Sequence, residues 1–339
     1  MKKNLVFAAL AALLAPAAHA ADARTGFTLD AVNDLRERAR FPEWSQPVLP
    51  GAVDPLLAKR APTRQSLAGP QGAAPTLSVW ASTISARAGD SVDLFAQLSG
   101  MSPDTTRLVD ILRANSQKLS AGVTAQIVNE AGAALGELAY ADDGRGADAV
   151  AGDGIYSARW QLPARNAPAL GTADSLMVKV RATLANGDVR NAVGGVQYSN
   201  PGALLTGRFR DAIKNGNLVL QAEADVLTAG RYHLTGVLAN LAGAPVASAQ
   251  AAQTFAAPGK YWMDLSYYGL IFQDRGAFGQ LRVASASLTS TNGMPNALGP
   301  VLQNAHLTQA LNPALLTKLP FNNPEMMDSA RRLEATLAP

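Results

Sequence analysis

Cysteine is absent from all 339 residues. That excludes disulfides, thiolate chemistry and a lipid-carrying cysteine behind a leader, so stability has to come from packed cores. Histidine is nearly absent too: His19, His233 and His306 are the only three. With no Cys, and with His233 and His306 73 positions apart, a zinc site lacks ligands. There is no H-E-x-x-H and no G-x-S-x-G, so no catalytic residue is assigned. No run of Lys or Arg exceeds two residues, which excludes the basic patch of a nucleic-acid binder. Beyond the N-terminal leader, no segment approaches the ~20 uninterrupted apolar residues of a membrane span.

What is present begins with that leader. Lys2 and Lys3 precede an apolar core, Leu5 to Leu14, and a small-x-small site, Ala18-His19-Ala20. The pattern predicts a signal peptide over residues 1–20, cleaved after Ala20, and a periplasmic or secreted product. Losing Lys2 and Lys3 leaves 27 basic residues against 26 acidic, so the mature chain is almost neutral. About 320 mature residues suggest two domains.

Residues 21–75 form an N-terminal helix and proline-rich arm. Leu29, Val32, Leu35 and Arg36 fall at helical spacing behind Thr28, a capping residue. Seven prolines from Pro42 to Pro75 follow, with Phe41, Trp44, Leu49, Leu56 and Leu57 as apolar anchors that favour packing on a neighbouring domain. Residues 76–200 carry about seven short strands, the signature of an immunoglobulin-like sandwich, with a helical insertion opening at Ser102-Pro103-Asp104. Residues 201–293 read as a second β-sandwich. Asn129-x-Ala131-Gly132-Ala133 in the first domain recurs as Asn240-x-Ala242-Gly243-Ala244 in the second, at a strand-turn-strand position each time. Residues 294–339 are a tail closing with a helix from Pro324. The fold class expected is mainly β: tandem immunoglobulin-like or related sandwiches with an N-terminal arm and short accessory helices.

The segment Asp142 to Tyr156 concentrates four aspartates, Asp142, Asp143, Asp148 and Asp153, with four glycines. Two readings of it stand. Its hard oxygen ligands and backbone freedom suit a calcium loop, although it lacks the D-x-D-x-D-G start and twelfth-position Glu of an EF-hand. Alternatively the carboxylates cap backbone N–H groups of a tight turn. Calcium is the only cofactor candidate, and none is required. Gly144-x-Gly146-x-x-Ala149 formally matches a dinucleotide fingerprint but opens a strand, not a helix, which rules it out.

Asp142, Asp143, Gly144, Asp148, Asp153, Gly154 and Tyr156 match D-D-G-x-x-x-D-x-x-x-x-D-G-x-Y. The loop thereby resembles bacterial exported immunoglobulin-like domains, and its combination with a leader and a second sandwich is similar to the domain of unknown function 4785 family. The resemblance implies an architecture over most of the mature chain and a bacterial source, but no reaction.

Tyr261-Trp262 and Tyr267-Tyr268 are adjacent aromatic pairs on a predicted strand, so one member of each points away from the core. An exposed member would stack on a glycan or anchor a protein partner; a covered one would pack beneath the arm or tail. The function expected is an exported, non-catalytic binding or structural module. The alternative is a polysaccharide-acting hydrolase using carboxylates.

Overall fold

The computed structural model describes residues 29–67, 75–99 and 121–336. The predicted signal peptide, the Thr28 cap and the helical insertion after Ser102 lie outside the described residues.

Helix α1 covers 29–39. It leads into β1 (Ser45–Pro47), α2 (Pro55–Arg60) and β2 (Gln65–Leu67). Strands β3 (Thr76–Ala81), β4 (Ser85–Ala86), β5 (Ser91–Ser99), β6 (Ala121–Val128), β7 (Ala134–Ala139), β8 (Ile155–Gln161), β9 (Thr172–Leu184) and β10 (Val189–Asn200) follow. They build two facing sheets, ordered β2-β3-β5-β8 and β4-β10-β9-β6-β7. The alternation is clearest in β9, where Leu176, Val178, Val180 and Ala182 are buried while Met177, Lys179 and Arg181 face out. The inward sets meet around Leu77, Leu94, Ile127 and Tyr198.

The second sandwich contains β11 (Ala203–Lys214), β12 (Asn217–Val226), β13 (Gly230–Ala239), β14 (Pro245–Phe255), β15 (Gly259–Tyr267), α3 (Gly269–Arg275), β16 (Arg282–Ser290) and β17 (Ala297–Leu307). Its sheets are β11-β12-β15 and β1-β14-β13-β16-β17. Helix α4 (Pro324–Ala335) closes the described chain, capped by the Asn323 side chain on the amides of Glu325 and Met326. The protein is therefore mainly β, with two sandwiches in tandem.

Four strands fall where the sequence reads otherwise. β11 has an interrupted alternation: pairing with β12 shifts between Leu205 and Phe209, which breaks the period of two. β17 lies in the stretch expected as tail, and β1 and β2 in the expected arm, where β2 pairs with β3. β1 is three residues long and ends in a proline, which an edge strand tolerates. It pairs with β14 across some 200 residues, Gln46 opposite Ser248.

As far as α2 the arm packs on the second sandwich, and its β2 joins the first. Phe41 and Leu56 are buried and Trp44 sets its ring edge against Tyr268, as anchors should. Leu49 does not serve as one; it is 70% exposed, because Val48 continues the β1 ladder onto Val246 and takes the inward position. The tail meets the arm: the Phe321 and Asn323 amides donate to the carbonyls of Arg40 and Ala39, and Arg36 pairs with Glu334 at 2.6 Å. Both ends of the described chain thus close over the same sandwich. The repeated N-x-A-G-A segments fold alike. In each, the Asn side chain accepts from the amide four residues on at 2.9 Å, and the Gly lies at φ +80° (Gly132) or +89° (Gly243).

Two stability predictions follow from this packing. Phe41→Ala should cost about 3–5 kcal/mol in denaturant unfolding of the second sandwich; a loss below 1 kcal/mol would make the arm an accessory. The Tyr267 hydroxyl is fully buried with no hydrogen-bond partner among the described residues, and that burial, aided by the Asp54 charge, holds its pKa far above the ordinary value. Tyr267→Phe removes an unpaired polar atom, so it should leave stability unchanged or raise it by about 1 kcal/mol, measured in the same urea titration.

Candidate functional site

The Asp/Gly loop joins β7, on the edge of one sheet of the first sandwich, to β8 on the edge of the other. Tyr140 enters it and Tyr156 leaves it, both buried, and burial pushes the Tyr140 phenol well above its usual pKa. An Ala141–Ser157 bridge fastens the base of the loop, with N···O distances of 2.9 and 2.8 Å. The chain between must turn back within a short span. Gly144 allows this: φ is +71°, and a Cβ there would lie 3.0 Å from the Ala151 amide nitrogen.

Each aspartate takes backbone N–H groups. Asp142 Oδ1 accepts from Gly152 at 2.5 Å and Asp153 at 3.2 Å, and its Oδ2 from Gly154 at 3.0 Å. Asp148, only 4% exposed, accepts from Gly144 at 2.6 Å and Val150 at 3.1 Å. Asp153 and Asp143 each accept from the residue two further on, Ile155 at 2.8 Å and Arg145 at 3.1 Å. The turn-forming chemistry read from the sequence is therefore present.

The same folding gathers charge. One carboxylate oxygen from each of Asp142, Asp148 and Asp153 lies within 4.8 Å of the other two. Asp143, exposed, stands outside this trio. No Lys or Arg forms an ion pair with the three among the described residues. Oxygens 2.3–2.6 Å from a common calcium ion span at most about 5 Å, so both spacing and donor type fit that ion.

The aromatic pairs are distributed differently. Tyr267 is fully buried and offers a ligand no surface. Tyr268 is covered from both ends of the chain: Trp44 and Phe321 each approach it edge-on at 6.1 Å, and its hydroxyl donates to the Leu319 carbonyl. Tyr261 stacks on Phe255 at 4.4 Å. Trp262 lies on the outward face of β15, opposite Glu223 of β12, with the Arg210 guanidinium 4.2 Å from its ring centre. Arg210 in turn donates to Gln221 at 2.7 Å. The four aromatics form no common patch, and the Arg210 partnership depends on a strand whose bulge hides it from sequence periodicity.

Another buried carboxylate, Asp54, caps α2 through the amides of Leu56 and Leu57 and accepts from Ser285 Oγ at 2.7 Å. The Asp54-Pro55 pair is a local helix-start signal that the reading of residues 21–75 as a helix and proline-rich arm passes over. Its contact with β16, 231 residues away, had no local signal.

No family model matches the chain, and no curated protein matches it. Solved structures similar to it include a DUF4785 family protein from Legionella pneumophila subsp. pneumophila str. Philadelphia 1, at 17% identity and TM-score 0.43, over 70% of this chain and 57% of that one. The family to which the combination of leader, Asp/Gly-loop domain and second sandwich is similar thus has a member among the chain's structural neighbours. A tetra-tandem repeat in the extending region of a large adhesion protein is similar at 14% identity and TM-score 0.23, over 74% of this chain and 56% of that one. Trypsin-activated alpha-2-macroglobulin from Escherichia coli is similar at 13% identity and TM-score 0.24, over 73% and 16%. This chain spans little more than half the length of the first two. At these scores the likenesses carry no argument about function. Among the described residues no helix is long and apolar enough to cross a membrane.

The hydrogen bonds rank the aspartates. Asp142→Ala strands three amides, Asp148→Ala strands two at a buried position, and Asp143→Ala releases one at the surface. With about 1–3 kcal/mol per stranded buried group, urea unfolding of the calcium-free protein should show losses of about 2–4 kcal/mol for the first two and below 1 kcal/mol for Asp143→Ala. Equal losses for all three would refute the ranking.

Proposed function

We propose that the protein is an exported, non-catalytic binding or structural module of the bacterial periplasm or exterior, its first sandwich stabilised by calcium held between Asp142, Asp148 and Asp153. The observation that carries the reading is the trio of carboxylate oxygens within 4.8 Å of one another, with no cationic side chain paired to them among the described residues. Backbone amides orient these carboxylates but supply only partial charges. A divalent cation supplies the rest, and oxygen ligands of this number and hardness suit calcium. Export supports the reading, because weak calcium sites fill at the ~0.1 to 1 mM concentrations of extracellular settings, and the leader over residues 1–20 directs the chain there.

The hydrolase alternative is disfavoured by the same geometry. Glycoside hydrolysis sets two carboxyl groups about 5 to 10 Å apart across a cleft, with room for the sugar between them. Here the carboxylates share one loop and are occupied by its own amides. The partner class that fits a module of this kind is a protein or a glycan, and of the four aromatic candidates Trp262 alone lies on an outward sheet face.

Thermal unfolding with millimolar calcium against chelator tests the proposal. For a dissociation constant of ~0.1 mM, ~10 mM calcium adds about 2.7 kcal/mol, which raises the Tm of a domain of ~100 residues by about 10 °C or more. The rise should vanish in Asp148→Asn. Superimposable curves for the unmodified protein would leave the three aspartates as turn-formers.

A further inference from the structure

A second site lies at the seam between the sandwiches. Arg60, the last residue of α2, is half-buried there, and burial lowers its pKa. A guanidinium carries five N–H donors and a full charge. Its Nη2 donates to Ser287 Oγ at 3.1 Å and reaches Thr289 Oγ1 at 3.5 Å. Ser287 is fixed in place by its own donation to the Gly299 carbonyl at 3.1 Å. Both partners of Arg60 are neutral hydroxyls. No carboxylate pairs with it among the described residues, and its Nε and Nη1 groups have no protein acceptor there. The α2 carbonyls add a favourable dipole but take no hydrogen bond from the guanidinium.

Arg60 lines a crevice of about 190 Å³. One wall is Thr83 to Arg87 of the first sandwich, and the other is Leu298 to Val301 of β17. Arg87 contributes a second guanidinium, and among the described residues the only acid lining the crevice is Asp90, already engaged by the Arg87 amide at 2.9 Å and its Nε at 3.3 Å. The charge of the crevice is thus positive by one. The unused donors of Arg60 are not sealed in the protein but open to the crevice, and the fork of an arginine matches the paired oxygens of an oxyanion.

We infer that this crevice is a binding site for a small oxyanion group, phosphate, sulfate or the carboxylate of an acidic sugar, held by the free edge of Arg60 with Arg87 beside it. Because its walls come from both sandwiches, the bound anion links them at a seam otherwise joined by contacts such as Ser199 Oγ to the Leu298 carbonyl at 2.9 Å.

Calorimetric titration of the full mature chain, without calcium and at constant ionic strength, with inorganic phosphate, sulfate and glucuronate in separate runs tests the site. At least one probe should bind with a millimolar or tighter Kd. Arg60→Met should weaken it tenfold or more, and Arg60→Lys, which keeps the charge and loses the fork, by an intermediate factor. Glucuronate alone binding identifies a carboxylated glycan as the source, and phosphate or sulfate alone an inorganic or esterified anion. In the unsubstituted protein, the bound probe should protect Arg60 from an arginine-specific dicarbonyl reagent, read by peptide mass spectrometry; this holds even if Arg60→Met fails to fold. No binding by any of the three, an affinity within twofold in Arg60→Met, or equal modification of Arg60 with and without the bound probe would overturn the inference.

Discussion

Three carboxylates within 4.8 Å of one another repel, and the end of the first sandwich is shaped by what offsets that repulsion. At separations of this order the interaction between unit charges is several times the thermal energy wherever water is partly excluded, and Asp148 is almost wholly buried. Amides of Gly144, Val150, Gly152, Asp153 and Gly154 turn toward the carboxylates, and they can do so only because glycines at left-handed φ let the chain curl inward. The loop is the link between β7 and β8, hence between two sheets. Whatever holds its charges also sets how the two edges of the sandwich meet.

The second sandwich solves a different problem. Its five-stranded sheet would end at β14, whose open edge is a liability. Three residues of the arm cover it, and Phe41 and Trp44 flank them as apolar anchors. The tail then crosses the arm through Phe321 and Asn323. Residues at both ends of the described chain are needed to finish one core, while the first sandwich is built from the residues between. The seam between the sandwiches is consequently lined by α2 of the arm as well as by β4 and β17, which is how an arginine of the arm comes to face a crevice between two β-structures.

How much of this was readable follows from the range of each interaction. The Asp/Gly loop, the two N-x-A-G-A turns and the Asn323-Pro324 helix start were legible because side chain and amide lie within a few residues of each other, so residue type alone states the chemistry. The alternating strands of the first sandwich were legible from their period. β1 was not, since three residues hold no period and its partner lies some 200 residues away. β11 was not, since its bulge interrupts alternation. Leu49 and Val48 exchanged roles because a one-residue shift in an edge strand reverses which side chain faces in. Cover of Tyr268 by arm and tail was one of the two readings of the aromatic pairs, whereas the cation on Trp262 and the surroundings of Arg60 are products of tertiary approach that no local pattern announces.

The central claim is that the aspartate trio is a calcium site as well as a turn. The most direct measurement is anomalous diffraction at long wavelength from crystals of the mature protein grown in calcium. The account predicts one peak among Asp142, Asp148 and Asp153, with carboxylate oxygens 2.3–2.6 Å from it. A well-ordered loop whose carboxylates keep only their amide partners, with no peak between them at saturating calcium, would contradict it.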